Sequence, residues 1–278
     1  MALDFFTQAI EIARLSSTSV VPPWEALVWR GNIYNLAGQQ DLAIADYNDA
    51  INLHPHKEGF FNRGTAHSGQ GKYAEAIADY TAALALDPQV KEAYVGRCAI
   101  YGEQGKYAEA IADCTAALAI DPQYEDAYVN RCAIYGKQGK YVEAFADCTA
   151  ALALDPQVKE AYVNRGAAYG GQGKYAEAIA DYTQAINLAP EFAGSYTGRG
   201  NVYANWEKYN EAVADYQRAI SLDPAPYTYC VLGITYTKTN DFVSAIMVLE
   251  KGRQLDTKGQ YPWCQIALDN ARKGTPTP

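Results

Sequence analysis

Long apolar runs are missing from this sequence: nothing approaches the roughly 20 residues that a membrane-spanning helix needs. The first ten residues, MALDFFTQAI, also lack the basic start and unbroken apolar core of a secretion signal, so the expectation is a cytoplasmic chain with no membrane insertion. Basic excess is missing too. A net charge of -9 and a pI near 4.9 oppose the phosphates of nucleic acid and of anionic membranes, which leaves neutral or basic protein surfaces as partners. Cysteine is sparse, with six in 278 residues and no C-x-x-C pair; this excludes a small disulfide scaffold or a standard zinc spacing and suggests a reducing compartment. Histidine is scarcer still. His54 and His56 share one short loop, too few ligands for a metal site, and His67 stands apart. No nucleophile with its base, no phosphate-binding glycine loop and no isolated carboxylate couple stands out, so neither an enzyme nor a cofactor is expected.

What is present is repetition. GKYAEAIADYTAALALDP, residues 71 to 88, returns with small changes at a period of 34. Cutting at that interval gives repeats 24 to 56, 57 to 90, 91 to 124, 125 to 158, 159 to 192, 193 to 225 and 226 to 259, with single deletions after Pro55 and Pro224. The third and fourth are identical at 26 of 34 positions. Within a repeat, apolar residues recur at three- and four-residue steps on both sides of a glycine interruption, as Tyr94, Cys98 and Tyr101 and then Ala110, Cys114 and Ala117 do. Each repeat therefore reads as two helices, and none could bury its apolar face alone.

The fifth repeat carries Tyr162, Gly166, Tyr169, Gly173, Ala178, Tyr182, Ala185 and Pro190 at places four, eight, eleven, fifteen, twenty, twenty-four, twenty-seven and thirty-two. At these residues the sequence resembles the tetratricopeptide repeat family. The resemblance implies an all-α fold, a right-handed superhelical solenoid of helix-turn-helix units whose first helices line a concave groove. The seventh repeat is degenerate, with Asn240, Leu249, Gly252 and Thr257 at places fifteen, twenty-four, twenty-seven and thirty-two. Residues 260 to 278 read as a solvating capping helix and tail, opened by Pro262, carrying Trp263, Ile266, Ala267 and Ala271, and closed by Arg272, Lys273 and Gly274. Residues 1 to 23 read as a half repeat, with Ala2, Phe6, Ala9 and Ile12 like a second helix, followed by a loop; it either caps the stack or pairs with another chain.

Two covariations run through the copies. Place seven is Arg30, Arg63, Arg97, Arg131, Arg165 and Arg199, and place twenty-three is Asp46, Asp79, Asp113, Asp147, Asp181 and Asp215, whereas the seventh repeat loses both as Leu232 and Val248. A partly buried guanidinium needs its carboxylate, so an ion pair is expected in repeats one to six. Cysteines replace Gly at place eight, as Cys98 and Cys132, and Tyr at place twenty-four, as Cys114 and Cys148. The linked swap conserves volume and reads first as core packing. Disulfides between Cys98 and Cys114 and between Cys132 and Cys148 are the alternative, since the two places should be neighbours; a four-thiolate metal site is the third reading.

For function, the family resemblance directs attention to places two, five, six, nine, twelve and thirteen. They offer an apolar stripe of Val28, Phe61, Val95, Val129 and Val163, asparagines at Asn32, Asn62, Asn130, Asn164 and Asn201, and an aromatic anchor at Trp29 with Phe61, Val28 and Leu36. An amide can donate to and accept from an extended peptide backbone at once, as an asparagine ladder does in some members of the family, although Gly96 and Gly198 interrupt it here. Place two forms an acidic rim of Glu58, Glu92, Asp126 and Glu160, which attracts Lys or Arg and disfavours the carboxylate tails that other members grip with basic residues. The expected function is a non-enzymatic scaffold for a peptide segment of a partner protein. The alternatives are a regulatory or targeting domain of a larger enzyme or assembly machine, and self-association through the half repeat.

Overall fold

The structure is a computed structural model that describes residues 21 to 277. The half-repeat reading of residues 1 to 20, and self-association through it, lie outside the described residues. Fifteen helices and no strand occur among the described residues. They are α1 Pro23–Leu36, α2 Gln40–Leu53, α3 Lys57–Gly69, α4 Tyr73–Leu86, α5 Lys91–Glu103, α6 Tyr107–Ile120, α7 Glu125–Lys137, α8 Tyr141–Leu154, α9 Lys159–Gly171, α10 Tyr175–Leu188, α11 Ala193–Asn205, α12 Tyr209–Leu222, α13 Pro226–Lys238, α14 Phe242–Leu255 and α15 Pro262–Arg272. None is long and apolar enough to cross a membrane. Internal contacts divide the chain within α7 into two compact bodies, residues 1 to 134 and 135 to 278. In each body, successive helices pack as neighbours in chain order, the arrangement of a stack.

One backbone device makes the helix pairs. At place fifteen Gly38, Gly71, Gly105, Gly139 and Gly173 all take positive φ, between 71° and 73°. The residue that follows returns its N–H to the helix it has just left, as Lys72 to the His67 carbonyl and Lys174 to that of Tyr169, both at 2.9 Å. This left-handed cap satisfies the last carbonyls and reverses the chain. Glu207 and Asn240 hold the same conformation, at φ of 60° and 61°, without glycine's freedom. The fold imposes the turn even where the residue resists it.

Between paired helices the core is alanine and tyrosine. Ala43, Ala50, Ala76, Ala83, Ala178 and Ala185 are fully buried, and their small size lets the backbones approach. The tyrosine at place twenty-four fills what remains. A Cβ on Gly31 would lie 2.6 Å from the Tyr47 ring, and one on Gly200 would lie 2.7 Å from that of Tyr216. Places eight and twenty-four do touch, as the cysteine swap suggests.

The chemistry of that swap differs from the first reading. Cys98 and Cys114 are joined by a disulfide with their Cα atoms 5.7 Å apart, and Cys132 and Cys148 are each disulfide-bonded as well. Packing of reduced thiols is thus corrected to covalent bonding, because two fully buried sulfurs on facing places already sit at bonding separation. A third bond, Cys230 to Cys264, ties α13 to the capping helix α15, and no free cysteine remains.

The expected ion pairs form in repeats one, two, three, five and six. Arg30 with Asp46, Arg63 with Asp79, Arg97 with Asp113, Arg165 with Asp181 and Arg199 with Asp215 meet at 2.6 to 2.8 Å. Each guanidinium uses two nitrogens on the carboxylate, which fixes one helix of the pair against the other. The third nitrogen reaches the preceding repeat: Arg97 donates to Thr81, Arg131 to Thr115 and Arg199 to Thr183 at 2.9 to 3.0 Å, and Arg63 donates to Asn48. Thr81 and Thr183 pass their own protons to the carbonyls of Ile77 and Ile179, so each hydroxyl is free to accept. The arginine is therefore a staple between repeats as well as within one.

Candidate functional site

Three of the expected groove residues meet in the first body. A recess of about 240 Å³ opens between α3 and α5, with Phe61 and Val90 as its apolar wall and Glu58 and Glu92 at its rim. Lys57 also borders it, but its ammonium is held 2.5 Å from Asp87 and lies 3.9 Å from Glu58. That contact raises the Lys57 pKa above its ordinary value through the Asp87 hydrogen bond. The same bond, with a second from the Gln89 N–H, lowers that of Asp87. The lysine is committed, so the recess presents two exposed carboxylates beside a ring face. Phe61 is the only aromatic at place five, where the other repeats carry Val, Thr or Cys.

Other candidates are placed differently. Val28 and Val95 are buried in the helix cores rather than on the groove surface, Val95 against Ala117, Leu118 and Ala127. Val129 and Val163 are half-buried. Trp29 keeps 40% exposure and Leu36 is almost bare, with 88% exposed. Glu160 pairs with Lys159 at 2.6 Å, and Asp126 is exposed.

The asparagines are engaged. Asn62 donates its amide to the Asn32 carbonyl oxygen at 3.0 Å, and the Tyr47 hydroxyl donates to that same oxygen at 2.7 Å. Asn130 turns back to the Asp126 backbone carbonyl at 2.8 Å, while Asn164 is half-buried. In the second body Tyr216 donates to Asn201 at 2.8 Å, and Asn201 donates to the Tyr227 hydroxyl at 3.2 Å. This network borders a second recess of about 330 Å³, shared by Asn205, Val231 and Ile234. Tyr227 and Val231 were not anticipated from the sequence. The signal was a tyrosine at place two, where the first five repeats carry an acid.

The gaps in the asparagine row follow from the tyrosines. A Cβ on Gly96 would fall 2.7 Å from Tyr80 Cζ, and Tyr182 blocks one on Gly198 in the same way. Each tyrosine belongs to the preceding repeat and reaches across the junction, so only glycine fits at the next place six. Tyr47 and Tyr216 are held back by Asn32 and Asn201 in their own repeats, and the next place six is Asn62 or Val231. Where Cys114 and Cys148 replace the tyrosine, place six is Asn130 or Asn164. The disulfides thus coincide with side-chain room on the first-helix face.

Among the described residues no group of three or more His, Cys, Asp or Glu is arranged to hold a metal ion. His54 and His56 instead pack their rings against Trp24 at tilts of 35° and 49°, with ring centroids 5.1 and 4.5 Å away. His67 takes a structural role, its Nδ1 lying 3.0 Å from Asp79 beside Arg63.

Comparison with known proteins agrees with this geometry. No curated protein matches the chain. Among solved structures, a tetratricopeptide repeat protein from Parabacteroides merdae superposes with a TM-score of 0.73 at 21% identity, covering 90% of this chain and 98% of that one. The Cut9–Hcn1 hetero-tetramer of the APC/C aligns at 0.77 and 15% identity, covering 97% of this chain and 52% of that one. Yeast Tom70 aligns at 0.60 and 18%, covering 98% and 59%. At these identities the likeness speaks for the fold. Profiles for the tetratricopeptide repeat match residues 25 to 56, 61 to 125, 125 to 158, 160 to 192 and 193 to 225. With repeats matched over most of its length, and with their turn glycines, alanines and tyrosines in place, the chain belongs to the tetratricopeptide repeat family.

Proposed function

We propose that the chain is a non-enzymatic scaffold that holds a segment of a partner protein along the face formed by its first helices, and that this segment brings a Lys or Arg to the recess between α3 and α5. The observation that carries the reading is the pairing of Phe61 with Glu58 and Glu92 around about 240 Å³, with the neighbouring lysine already bound to Asp87. A cation there gains two carboxylates and an aromatic face, and the chain's charge of -9 favours its approach. The right-handed winding that the family implies belongs to the same reading. Trp29, Asn130 and Asn164 would contact other parts of the segment.

The compartment is part of this reading. Disulfide bonding of every cysteine favours an oxidising compartment over the cytoplasm expected from the sequence. A thiol count on the protein as isolated from its source, under denaturant and without reductant, tests this; free thiols at all six cysteines would return the chain to the cytoplasm.

Selection from a random peptide library tests the groove. Peptides retained by the wild type should be enriched in Lys and Arg, and a Glu58→Gln, Glu92→Gln variant should lose them while keeping its circular dichroism. Retention of the same peptides by that variant and by Phe61→Ala would end the proposal.

A further inference from the structure

At the junction of α8 and α9 the stack is incompletely filled. At three other junctions of a second helix with the next first helix, place ten is a buried branched residue: Ile100 beside Tyr73 and Ile77, Ile134 beside Tyr107 and Ile111, and Val202 beside Tyr175 and Ile179. Here place ten is Ala168, as it is Ala66, fully buried, at the junction of α2 and α3. The residue that could have filled the space, Phe145, is larger than the isoleucines at its place but keeps 39% exposure. The result is a pocket of about 160 Å³ walled by Tyr141, Val142 and Phe145 from α8 and by Ala168 and Tyr169 from α9. An apolar cavity of roughly 150 Å³ accepts a ligand the size of benzene, so this one takes a single leucine, methionine or phenylalanine side chain.

The apolar surface continues outside. Val142 is 75% exposed, and Phe145 meets Tyr169 edge-on with ring centroids 5.4 Å apart. The third repeat, otherwise nearly the same sequence, has Ala108 and Ile111 at these two places. Two of the eight differences between repeats three and four therefore build this surface. The only charged group lining the pocket is Lys174, whose ammonium sits over the Tyr169 ring at 5.7 Å. In an acidic chain whose first-helix recess is rimmed by carboxylates, this pocket has the opposite sign at its mouth.

We propose that the pocket is a second docking site, separate from the face that binds the basic segment, and that it takes an apolar side chain of a partner protein flanked by Asp or Glu, with Lys174 as the counter-ion. The apolar side chain fills the space that Ile100, Ile134 and Val202 fill elsewhere. The flanking carboxylate meets the ammonium at the rim and gives the site its sign preference.

The probes are the peptide acetyl-Asp-Phe-Asp-amide and its neutral counterpart acetyl-Asn-Phe-Asn-amide, titrated into the labelled full chain by NMR. The acidic peptide should shift the Ala168 and Val142 methyl signals saturably, and the neutral one should bind roughly fivefold more weakly, the size of one exposed ion pair. Ala168→Ile, which installs the residue of repeats three and four and so keeps the fold, should abolish the shifts. Lys174→Gln should bring the two peptides to equal affinity. No saturable shift in the wild type, shifts that survive Ala168→Ile, or equal affinity of the two peptides for the wild type would each overturn the proposal. So would sedimentation of the wild type as a dimer and of Ala168→Ile as a monomer, because the occupant would then be a second copy of this chain.

Discussion

Arg165 and Asp181 show how much one side-chain pair contributes when it repeats. Their side chains keep 19% and 9% exposure, between a solvated surface pair and a buried one. Removing only the carboxylate leaves the guanidinium half-sheltered with the Thr149 hydroxyl at 3.5 Å as its remaining acceptor here. Asp181→Ala should therefore cost about 2 kcal/mol, above the usual surface pair and below the fully buried one. The double variant Arg165→Leu, Asp181→Val installs what the seventh repeat has, where Leu232 is buried beside Val248, and should cost less than the single change. Urea denaturation of the three proteins decides this; a double variant weaker than Asp181→Ala would contradict the pairing. The exposed pair of Lys57 and Asp87 makes a pH prediction instead. Asp87 is lowered from about 3.8, mainly by Lys57 and then by the Gln89 N–H, and Lys57 is raised from about 10.5 by Asp87. A lowered carboxylate stabilises the fold above its unfolded pKa, and this is lost as pH falls through the folded value. A raised ammonium stabilises below 10.5, and this is lost as pH rises through its folded value. In Lys57→Gln the Asp87 carboxyl should titrate nearer its ordinary value by NMR, while Asp121, held by Lys91, stays where it was. An unmoved Asp87 would show that the Gln89 N–H alone sets its pKa.

At the scale of the helix pair, three places act together: eight, twenty-four and the next repeat's six. Gly with Tyr demands either glycine across the junction or an asparagine at place nine to hold the hydroxyl, whereas the cysteine pair demands neither. Converting Cys98 and Cys114 to Gly and Tyr, the residues of the other repeats, should then fail for a specific reason. Place nine of that repeat is Ala99, so the new ring has no acceptor in its own pair and is driven onto Asn130. Overpacking of this kind costs about 1–3 kcal/mol, on top of roughly 3 kcal/mol for a lost disulfide closing a loop near 15 residues. Adding Asn130→Gly should recover the overpacking part, read as a shift of the melting midpoint back upward. A triple variant no more stable than the double one would refute the three-place rule. Half of this rule was legible in the sequence, since seven copies reveal that eight and twenty-four change together. Bond formation was not, because Gly with Tyr and Cys with Cys conserve volume whether or not the sulfurs join. The threonines at place twenty-five, Thr81, Thr115, Thr149 and Thr183, were visible as a column, but only the third guanidinium nitrogen explains them.

For the whole molecule, repetition made the family and the helix order legible, and it left unread whatever has no second copy. The acidic rim and Phe61 were found because place two and place five could be compared across repeats, whereas the burial of Val95 depends on Leu118 and Ala127 closing over it. Cys230 had no precedent at place five, and Cys264 lies in a helix outside the repeat register, so nothing in the sequence paired them. Their bond has a consequence for how the array ends. In a linear stack each repeat is stabilised mainly by its neighbours, and the last one has a neighbour on one side only. Here α15 supplies the missing partner, burying Cys264, Ala267, Leu268 and Ala271 against Leu249 and Ala245. The disulfide spans 34 residues, a loop whose closure corresponds to about 3–4 kcal/mol of stabilisation. Replacing both cysteines by alanine should therefore loosen one end and leave the rest intact. Hydrogen exchange should quicken in α13, α14 and α15, with protection in α3 to α6 unchanged, because the stabilisation is local to the terminal repeat. A uniform loss of protection along the chain would mean that the stack unfolds as one cooperative unit, with the cap holding every repeat rather than the last.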